Sequence, residues 1–149
     1  IAETRVGRGD RAFDYYKRIA AAYLEKISDV HRTEPYVYSQ MVAGRDAVRE
    51  GEAKNSWLTR TAAWNYVAIA HHILGIRPEF DGLRVSPCIG AEIQNFTVTR
   101  RCRGAVYRIR VTNSLKHDGP LLKVNGETTK GTLVPYAPAG ETVDIDCET

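Results

Sequence analysis

The stretch NSWLTRTAAW, residues 55–64, opens a long helical pattern that runs to Ile76. Hydroxyl side chains near its start can cap exposed backbone N–H groups: Ser56, Thr59 and Thr61. Apolar residues then recur at the three- and four-residue spacing of a helix: Ala63, Tyr66, Val67, Ala70, Ile73 and Leu74. Gly75 predicts the end of this helix, and Pro78 prevents its continuation.

The start of this helix has two interpretations. A helix N-terminus offers N–H donors and a partial positive charge, so it is a place where anions bind. The hydroxyl of Ser56 or Thr59 can equally serve as an ordinary cap on a helix of the core. Spacing alone leaves both interpretations open.

The composition is that of a globular protein with one ordinary domain or two small ones. Of the 149 residues, 43% are hydrophobic and 26% are charged. A net charge of +3 creates no strong field for nucleic acid or an acidic membrane, so we predict neither partner. No stretch is apolar enough to span a bilayer and the first residues lack a signal-peptide core, so we expect a cytoplasmic protein.

Cysteine and histidine residues give no sign of a metal site. The three cysteines cannot all pair, and their spacing is not that of metal ligands: Cys88, Cys102 and Cys147. We predict free, mostly buried thiols in a reducing compartment. His71 and His72 are neighbours, about 100° apart on an α-helix, so they do not jointly face one metal ion. We predict no metal ligand in this chain.

A second helical pattern follows Gly9. Asp10 is placed to cap this helix. Its apolar stripe has helical spacing and comprises Phe13, Tyr16, Ile19, Ala20, Tyr23 and Ile27. We expect an amphipathic helix that packs through this stripe and has no catalytic role.

The segment between the two helical patterns is rich in tyrosine. Pro35 pushes Glu34 out of the helical region, so we predict an extended loop in which Tyr36, Tyr38 and Gln40 share one face. Aromatic rings beside amide and carboxylate groups are typical of contacts with sugars. The alternative is a buried tyrosine corner in which Gln40 satisfies backbone groups.

From Gly82 onward the hydrophobic period changes to two, which indicates half-buried strands. The clearest run places Ala105, Tyr107, Ile109 and Val111 on one face and Val106, Arg108, Arg110 and Thr112 on the other. Turn residues such as the Asn125-Gly126 pair separate the runs. We predict an α+β fold, with helices in residues 1–80 and a small antiparallel β-sandwich domain in residues 81–149.

Neither half of the chain is expected to fold as an independent unit. Two long helices and a loop cannot close a core around their own apolar stripes. The strand half is small for a sandwich that stands alone. The sequence also begins at Ile1 rather than at methionine. We therefore expect a piece of a larger α+β protein, or an obligate assembler.

Seven short motifs occur in an order typical of one protein family. They are Gly7-Arg-Gly-Asp10, Glu34-Pro-Tyr-Val-Tyr-Ser-Gln40, Lys54-Asn-Ser-Trp-Leu-Thr59, Ile73-Leu-Gly-Ile-Arg-Pro78, Asp81-Gly-Leu83, Pro87-Cys-Ile89 and Thr97-Val-Thr-Arg-Arg-Cys-Arg-Gly104. Together they resemble the C-terminal portion of the inverting glycoside phosphorylases of glycoside hydrolase family 94, the cellobiose and chitobiose phosphorylases. The resemblance covers essentially the whole chain.

This resemblance implies a fold and a reaction. The chain would hold the last helices of an (α/α)6 barrel and the small C-terminal β domain that follows. The implied reaction is reversible phosphorolysis of a β-linked, cellobiose-like disaccharide to an α-sugar 1-phosphate and a free sugar. Phosphate replaces the water of an inverting hydrolase, so it is a co-substrate and no cofactor is implied.

The same resemblance assigns roles to a few residues. The general-acid aspartate belongs to an upstream motif, so no catalytic residue is expected within this chain. Thr59 matches a threonine that contacts phosphate, and Arg60 stands where the family usually has glycine. The Arg60 side chain either blocks the anion or binds it by charge. Gln40 matches a glutamine that contacts the sugar, with Glu34 and Tyr36 as walls around it.

Three functions remain open at this stage. The first is part of a disaccharide phosphorylase whose partners are the remainder of the parent polypeptide and, as the resemblance implies, a second copy in a homodimer. The second is a non-catalytic structural or carbohydrate-binding module. The third is an inactive truncated relative, which the arginine at position 60 would explain. A further departure from the family is Gly90, where proline is more common.

Overall fold

Helices and short turns make up the first half of the chain. The structure is a computed structural model, and it describes residues 1–34, 37–58, 60–114 and 119–149. The helical elements are α1 (Ala2–Arg5), α2 (Gly9–Ile19), two 3-10 turns (Ala21–Tyr23 and Glu25–Ile27), α3 (Ser28–His31) and α4 (Thr61–Tyr66), which continues as a π-helix (Val67–Ile73). A hairpin of β1 (Met41–Val42) and β2 (Ala53–Lys54) lies between α3 and α4. Among the described residues, no helix has the length and apolar character needed to cross a bilayer.

The helix predicted from residues 55–76 forms over Thr61–Ile73. Its N-cap residue is Arg60, which makes no side-chain capping bond, so no hydroxyl occupies the cap position. The predicted stop at Gly75 is confirmed, because this glycine has a φ of +70° that few other residues adopt. The helix ends before Ile76, which is already the first residue of a strand.

The second predicted helix is shorter than its apolar stripe. Helix α2 ends at Ile19, because Ala20 has an extended backbone with φ −78° and ψ 120°. Two 3-10 turns replace the predicted last turns of the helix. Ile19, Tyr23 and Ile27 are 55%, 57% and 46% exposed. Helical spacing is not sufficient here, since a helix gains most of its stability from a partner on its apolar face and the described residues leave these three side chains largely uncovered.

Asp10 has a different role from the predicted cap. The N-cap of α2 is Arg8, and the Asp10 carboxylate instead accepts a hydrogen bond from the Ala91 N–H at 3.0 Å. Gly90 lies against this carboxylate so closely that a Cβ at position 90 would overlap it. The absence of a side chain at Gly90 thus lets the start of α2 dock on the strand half.

Strands form the second half of the chain. They are β3 (Ile76–Pro78), β4 (Gly82–Val85), β5 (Asn95–Cys102), β6 (Ala105–Thr112), β7 (Leu121–Val124), β8 (Glu127–Thr129), β9 (Leu133–Pro135) and β10 (Thr142–Glu148). One sheet has the order β5-β6-β10-β7-β8, and a smaller sheet has the order β3-β4-β9. All pairs are antiparallel except β6 with β10, which is parallel. The α+β class is confirmed, but the strands are not all antiparallel as predicted.

The sheet β5-β6-β10-β7-β8 and the sheet β3-β4-β9, which are the two larger sheets, share one hydrophobic core. The predicted alternation of β6 is confirmed, since Ala105, Tyr107, Ile109 and Val111 are at most 1% exposed. The core joins residues of both sheets: Ile76, Leu83, Val85, Val134, Ala105, Tyr107, Ile109, Val111, Leu122, Val143, Ile145 and Cys147. Strand β3 already belongs to this arrangement, and the domain boundary between residues 80 and 81 stays a prediction.

The three cysteines are free thiols, as predicted. Cys147 is buried in the core, and burial raises the pKa of its thiol to about 12. Burial also raises the pKa of Cys88. Both thiols are therefore protonated at neutral pH, and neither behaves as a nucleophile.

Glu79 holds the hairpin of β3 and β4 together. Its carboxylate accepts hydrogen bonds from Arg84 Nε at 2.6 Å and from Arg77 Nη2 at 2.7 Å. Its backbone carbonyl accepts a bond from the Tyr136 hydroxyl at 2.7 Å. The two guanidinium groups, with Arg84 as the larger contributor, lower the pKa of Glu79 from 4.5 to about 2.

We expect Glu79→Gln to destabilise the chain in a pH-dependent way. A carboxyl whose pKa is lowered on folding stabilises the folded state above its unfolded pKa, and this contribution disappears as the pH falls through the folded value. The melting temperature of the variant should therefore be lower than wild type at pH 7, and the difference should shrink between about pH 4.5 and pH 2. Thermal melts at several pH values test this, with the exposed Glu50→Gln as control. A difference that does not vary with pH would contradict the role given to the Glu79 charge.

Candidate functional site

The tyrosine-rich segment and the start of helix α4 meet at the small hairpin. Strands β1 and β2 pair Met41 with Lys54, and the Gln40 N–H donates to the Lys54 carbonyl at 3.2 Å. The side chains of the two segments are also joined, because Asn55 Nδ2 donates to Gln40 Oε1 at 3.1 Å. Gln40 is exposed, and its side-chain oxygen accepts from another side chain. The alternative of a buried tyrosine corner stays a prediction, because it includes Tyr36, which lies outside the described residues.

A second side-chain bond joins the same two segments. The Trp57 indole N–H donates to Glu34 Oε1 at 3.0 Å. Hydrogen bonds from the Glu34 backbone N–H and from this indole lower the pKa of the Glu34 carboxyl, which is ionised at neutral pH. Asn55 and Trp57 have positive φ angles of 56° and 69°. Such an angle is uncommon for tryptophan, and strained backbone of this kind is frequent at functional sites.

The tyrosine segment is anchored to helix α2. Burial raises the pKa of the Tyr38 hydroxyl, and a hydrogen bond with Tyr16 raises it further. Tyr38 is thus a neutral group that ties the extended segment to the helix. The partner of Tyr38 lies on the apolar stripe of α2, which gives Tyr16 a specific contact that periodicity did not predict. Tyr36, one of the expected sugar contacts, lies outside the described residues.

The start of helix α4 carries the two residues expected to bind phosphate. Thr59 lies outside the described residues. The Arg60 carbonyl accepts the first helical bond from the Trp64 N–H at 3.1 Å, and the Arg60 side chain is exposed. The backbone of Arg60 has φ −83° and ψ 4°, which any residue adopts. Glycine is therefore not required here for the backbone conformation, and the difference between glycine and arginine concerns the space and charge beside the helix start.

The described residues of this site offer polar and apolar groups of the kinds that contact sugars. An ionised carboxylate at Glu34 and the amides of Gln40 and Asn55 are the groups that bind hydroxyls in forked pairs. Trp57 and Trp64 are 73% and 63% exposed, which leaves apolar surface beside these polar groups. Asn55 and Trp57 were missed as site residues by sequence reasoning, although both belong to the motif that begins at Lys54.

No described part of the chain forms a metal centre. Among the residues that the structure describes, no group of three or more His, Cys, Asp or Glu could hold a metal ion. His71 and His72, which were predicted not to face one metal ion jointly, both line one polar pocket. They lie in the π-helix, where a turn holds more residues than in an α-helix and neighbouring side chains are closer in direction.

Comparison with known proteins places these features in a family. The model of the glycosyl hydrolase 94 superfamily, catalytic domain, matches residues 1–75, which include the hairpin, the tyrosine segment and the long helix. The chain belongs to the glycosyl hydrolase 94 family. The resemblance carried by the sequence motifs is confirmed.

Several curated relatives of this chain are phosphorylases by name. The chain is 38% identical over 143 residues to an N,N'-diacetylchitobiose phosphorylase of Vibrio proteolyticus, and 40% identical over 142 residues to one of Vibrio furnissii. A solabiose phosphorylase of Paenibacillus borealis is 31% identical over 150 residues. These alignments cover 95%, 94% and 98% of this chain but 18%, 18% and 20% of the relatives. The chain thus spans about a fifth of the length of the relatives it matches.

Proposed function

We propose that the chain is the C-terminal part of a disaccharide phosphorylase that catalyses reversible, inverting phosphorolysis of a β-linked disaccharide. The observation that carries the proposal is the pair of hydrogen bonds, Trp57 to Glu34 and Asn55 to Gln40, that joins two family motifs beside the start of helix α4. Membership of the glycosyl hydrolase 94 family supports it. Phosphate is the co-substrate, and the whole polypeptide acts as a homodimer in the cytoplasm.

In this reaction an oxygen of inorganic phosphate forms a bond to the anomeric carbon as the glycosidic C–O bond breaks. Attack from the face opposite the leaving oxygen gives an α-sugar 1-phosphate. A protonated aspartic acid in a segment outside this chain gives its proton to the leaving oxygen, which becomes the hydroxyl of the free sugar. The residues of this chain bind and orient the two substrates.

Each site residue has a role in that arrangement. Thr59 and Arg60 bind phosphate at the start of helix α4, where N–H donors and a guanidinium favour an anion. Gln40 contacts sugar hydroxyls, and Glu34 and Tyr36 form walls of the pocket. The bonds from Asn55 and Trp57 hold the Gln40 amide and the Glu34 carboxylate in place, which saves the cost of ordering them on binding.

The exposed apolar face of the helical half supports a larger helical domain. Ile19, Tyr23, Ile27 and Val30 are each at least 46% exposed, and they extend from the last residue of helix α2 into helix α3. Several large apolar side chains exposed so near one another in sequence indicate that another element covers them. We propose that the remaining helices of an (α/α)6 barrel, supplied by the rest of the polypeptide, pack on this face.

The test uses the full-length polypeptide and the release of sugar 1-phosphate from cellobiose and from N,N'-diacetylchitobiose. Thr59→Ala should lower kcat/KM for phosphate by about tenfold or more, because an anion loses a hydrogen-bond donor. Arg60→Gly should raise the KM for phosphate. The control is Thr128→Ala, an exposed threonine on β8, which should leave both constants unchanged.

Three outcomes would count against the proposal. Unchanged constants in Thr59→Ala would remove Thr59 from the phosphate site. A lower KM for phosphate in Arg60→Gly would mean that the arginine blocks the anion. Sugar binding that calorimetry finds independent of phosphate, without any phosphorolysis, would favour a carbohydrate-binding module instead.

A further inference from the structure

A polar pocket lies at the opposite end of the long helix from the sugar site. It has a volume of about 360 Å³ and is open to solvent on one side. Helix α1, the end of the π-helix and the hairpin of β3 and β4 form its walls. The residues that line it are Thr4, Arg5, His71, His72, Gly75, Arg77, Arg84, Ser86 and Cys88.

The charge of this pocket is strongly positive. Three arginines line it, and no aspartate or glutamate does. Arg77 and Arg84 share the Glu79 carboxylate, so one negative charge serves two guanidinium groups. Arg5 forms no ion pair within the described residues. Three guanidinium groups with one carboxylate between them leave an excess of positive charge, which raises the energy of the unliganded pocket and which a bound anion lowers.

Two histidines add further donors to the same wall. The π-helix directs both His71 and His72 into the pocket. His71 Nε2 is buried and has no hydrogen-bond partner among the described residues, which is costly for a polar atom. Burial is the main cause of a lowered pKa in both histidines. The nearby charge of Arg100 lowers the pKa of His71 further, and that of Arg77 does so for His72.

The negatively charged or ionisable groups near the pocket either have another hydrogen-bond partner or are neutral. The Asp10 carboxylate, which is close enough to Cys88 to affect its pKa, accepts the Ala91 N–H. Burial keeps the Cys88 thiol protonated and therefore neutral at pH 7. The Ser86 backbone N–H donates to the Gly75 carbonyl at 2.8 Å, while the Ser86 hydroxyl makes no hydrogen bond within the described part of the chain. The Arg5 guanidinium, the two imidazoles and the Ser86 hydroxyl thus have no carboxylate partner within the described residues.

We propose that this pocket binds the phosphate group of inorganic phosphate or of a small phosphate ester. The Arg5 guanidinium and the Ser86 hydroxyl donate to the phosphate oxygens, beside the His71 and His72 side chains that line the same pocket. A tetrahedral oxyanion with several acceptor oxygens matches this spread of donors better than a single carboxylate does. The volume also admits a sugar-sized group attached to the phosphate.

This site is distinct from the phosphate site of the proposed reaction. The six residues of α4, Thr61–Tyr66, span about 9 Å along the axis, and His71 and His72 lie further along the π-helix that follows. A phosphate bound beside His71 and His72 is therefore too far from Arg60 to take part in the same step. The inference does not depend on the proposed function.

Binding stoichiometry in the full-length polypeptide tests the inference. Equilibrium dialysis with radiolabelled inorganic phosphate should show one site that Thr59→Ala leaves intact. Arg5→Gln should weaken that site by about tenfold, because a charge-assisted hydrogen bond is lost. The control is Arg45→Gln, an exposed arginine in the loop between β1 and β2, which should leave the affinity unchanged.

Ser86→Asp provides a second, independent variant. A carboxylate at position 86 places a negative charge among the arginines, so phosphate binding at this site should be lost while thermal melting remains at or above the wild-type temperature. Competition with glucose 1-phosphate and with glucose separates the two phosphate sources. Tighter binding of the ester than of inorganic phosphate identifies a phosphate ester, and the reverse order identifies inorganic phosphate.

The inference is overturned if Arg5→Gln and Ser86→Asp both bind phosphate as the wild type does. It is also overturned if the Thr59→Ala polypeptide binds no phosphate at all, because a side-chain carboxylate from the rest of the polypeptide would then occupy the pocket. The proposed reaction fails separately, through unchanged kinetics in Thr59→Ala. The two proposals are therefore tested by different measurements.

Discussion

Replacing Leu122 with alanine should lower the free energy of unfolding by about 2–5 kcal/mol, the usual cost of a large cavity in a packed core. Leu122 is 1% exposed and lies on β7 opposite Cys147 of β10. Its side chain is part of the cluster that the two larger sheets share. Removing three side-chain carbons leaves a void that the paired strands on both sides prevent from closing.

The neighbouring residue is a matched control. Leu121 has the same side chain on the same strand but is 52% exposed. Because successive residues of a strand point to opposite faces, Leu121→Ala should change stability by no more than about 0.5 kcal/mol. Urea unfolding followed by circular dichroism measures both. Equal effects for the two leucines would mean that the cluster around Leu122 is not the core of the strand half.

Gly75→Ala should be the most damaging single substitution at the junction of helix and sheet. Gly75 has a φ of +70°, and a left-handed backbone costs a residue with a Cβ about 1–2 kcal/mol. An added Cβ would also overlap the Ser86 carbonyl, which is backbone and cannot rotate away. Overpacking adds about 1–3 kcal/mol, so we expect a total loss of about 2–5 kcal/mol.

Gly126→Ala separates the two causes. Gly126 has a φ of +86°, and a Cβ there would meet nothing within 4 Å. Gly126→Ala should therefore lower stability only by the backbone cost of about 1–2 kcal/mol. Thermal and urea unfolding of both variants test this difference. If Gly75→Ala is no worse than Gly126→Ala, the close approach of the helix end to Ser86 does not contribute to stability.

This junction also positions the phosphate pocket. The Cys88 N–H donates to the Ile73 carbonyl at 2.9 Å, so the segment after β4 satisfies a carbonyl at the helix end. Gly75 and Ser86 both line the pocket with the two histidines. A displaced helix end would move these donors apart. Gly75→Ala should thus weaken phosphate binding there in any fraction that still folds.

The sequence predicted the features that depend on local chemistry. A glycine with positive φ ends the long helix at the expected place, and strict alternation places one face of β6 in the core. The order of seven short motifs identified the family, because each motif is itself a local pattern. Glu34 and Gln40 also proved to be hydrogen-bonded to the motif that begins at Lys54, through its residues Trp57 and Asn55.

Only the tertiary structure decided what depends on distant partners. Helix α2 stops at Ile19 although its stripe continues, because the described elements leave the far end of that stripe, Ile19, Tyr23 and Ile27, exposed. Asp10 binds Ala91 across 81 residues instead of capping its own helix. Strand β10 pairs in parallel with β6, and alternation carries no information about strand direction. The π-helix brings His71 and His72 to one pocket, because the way a helix is wound depends on what packs around it and not on the spacing of its residues.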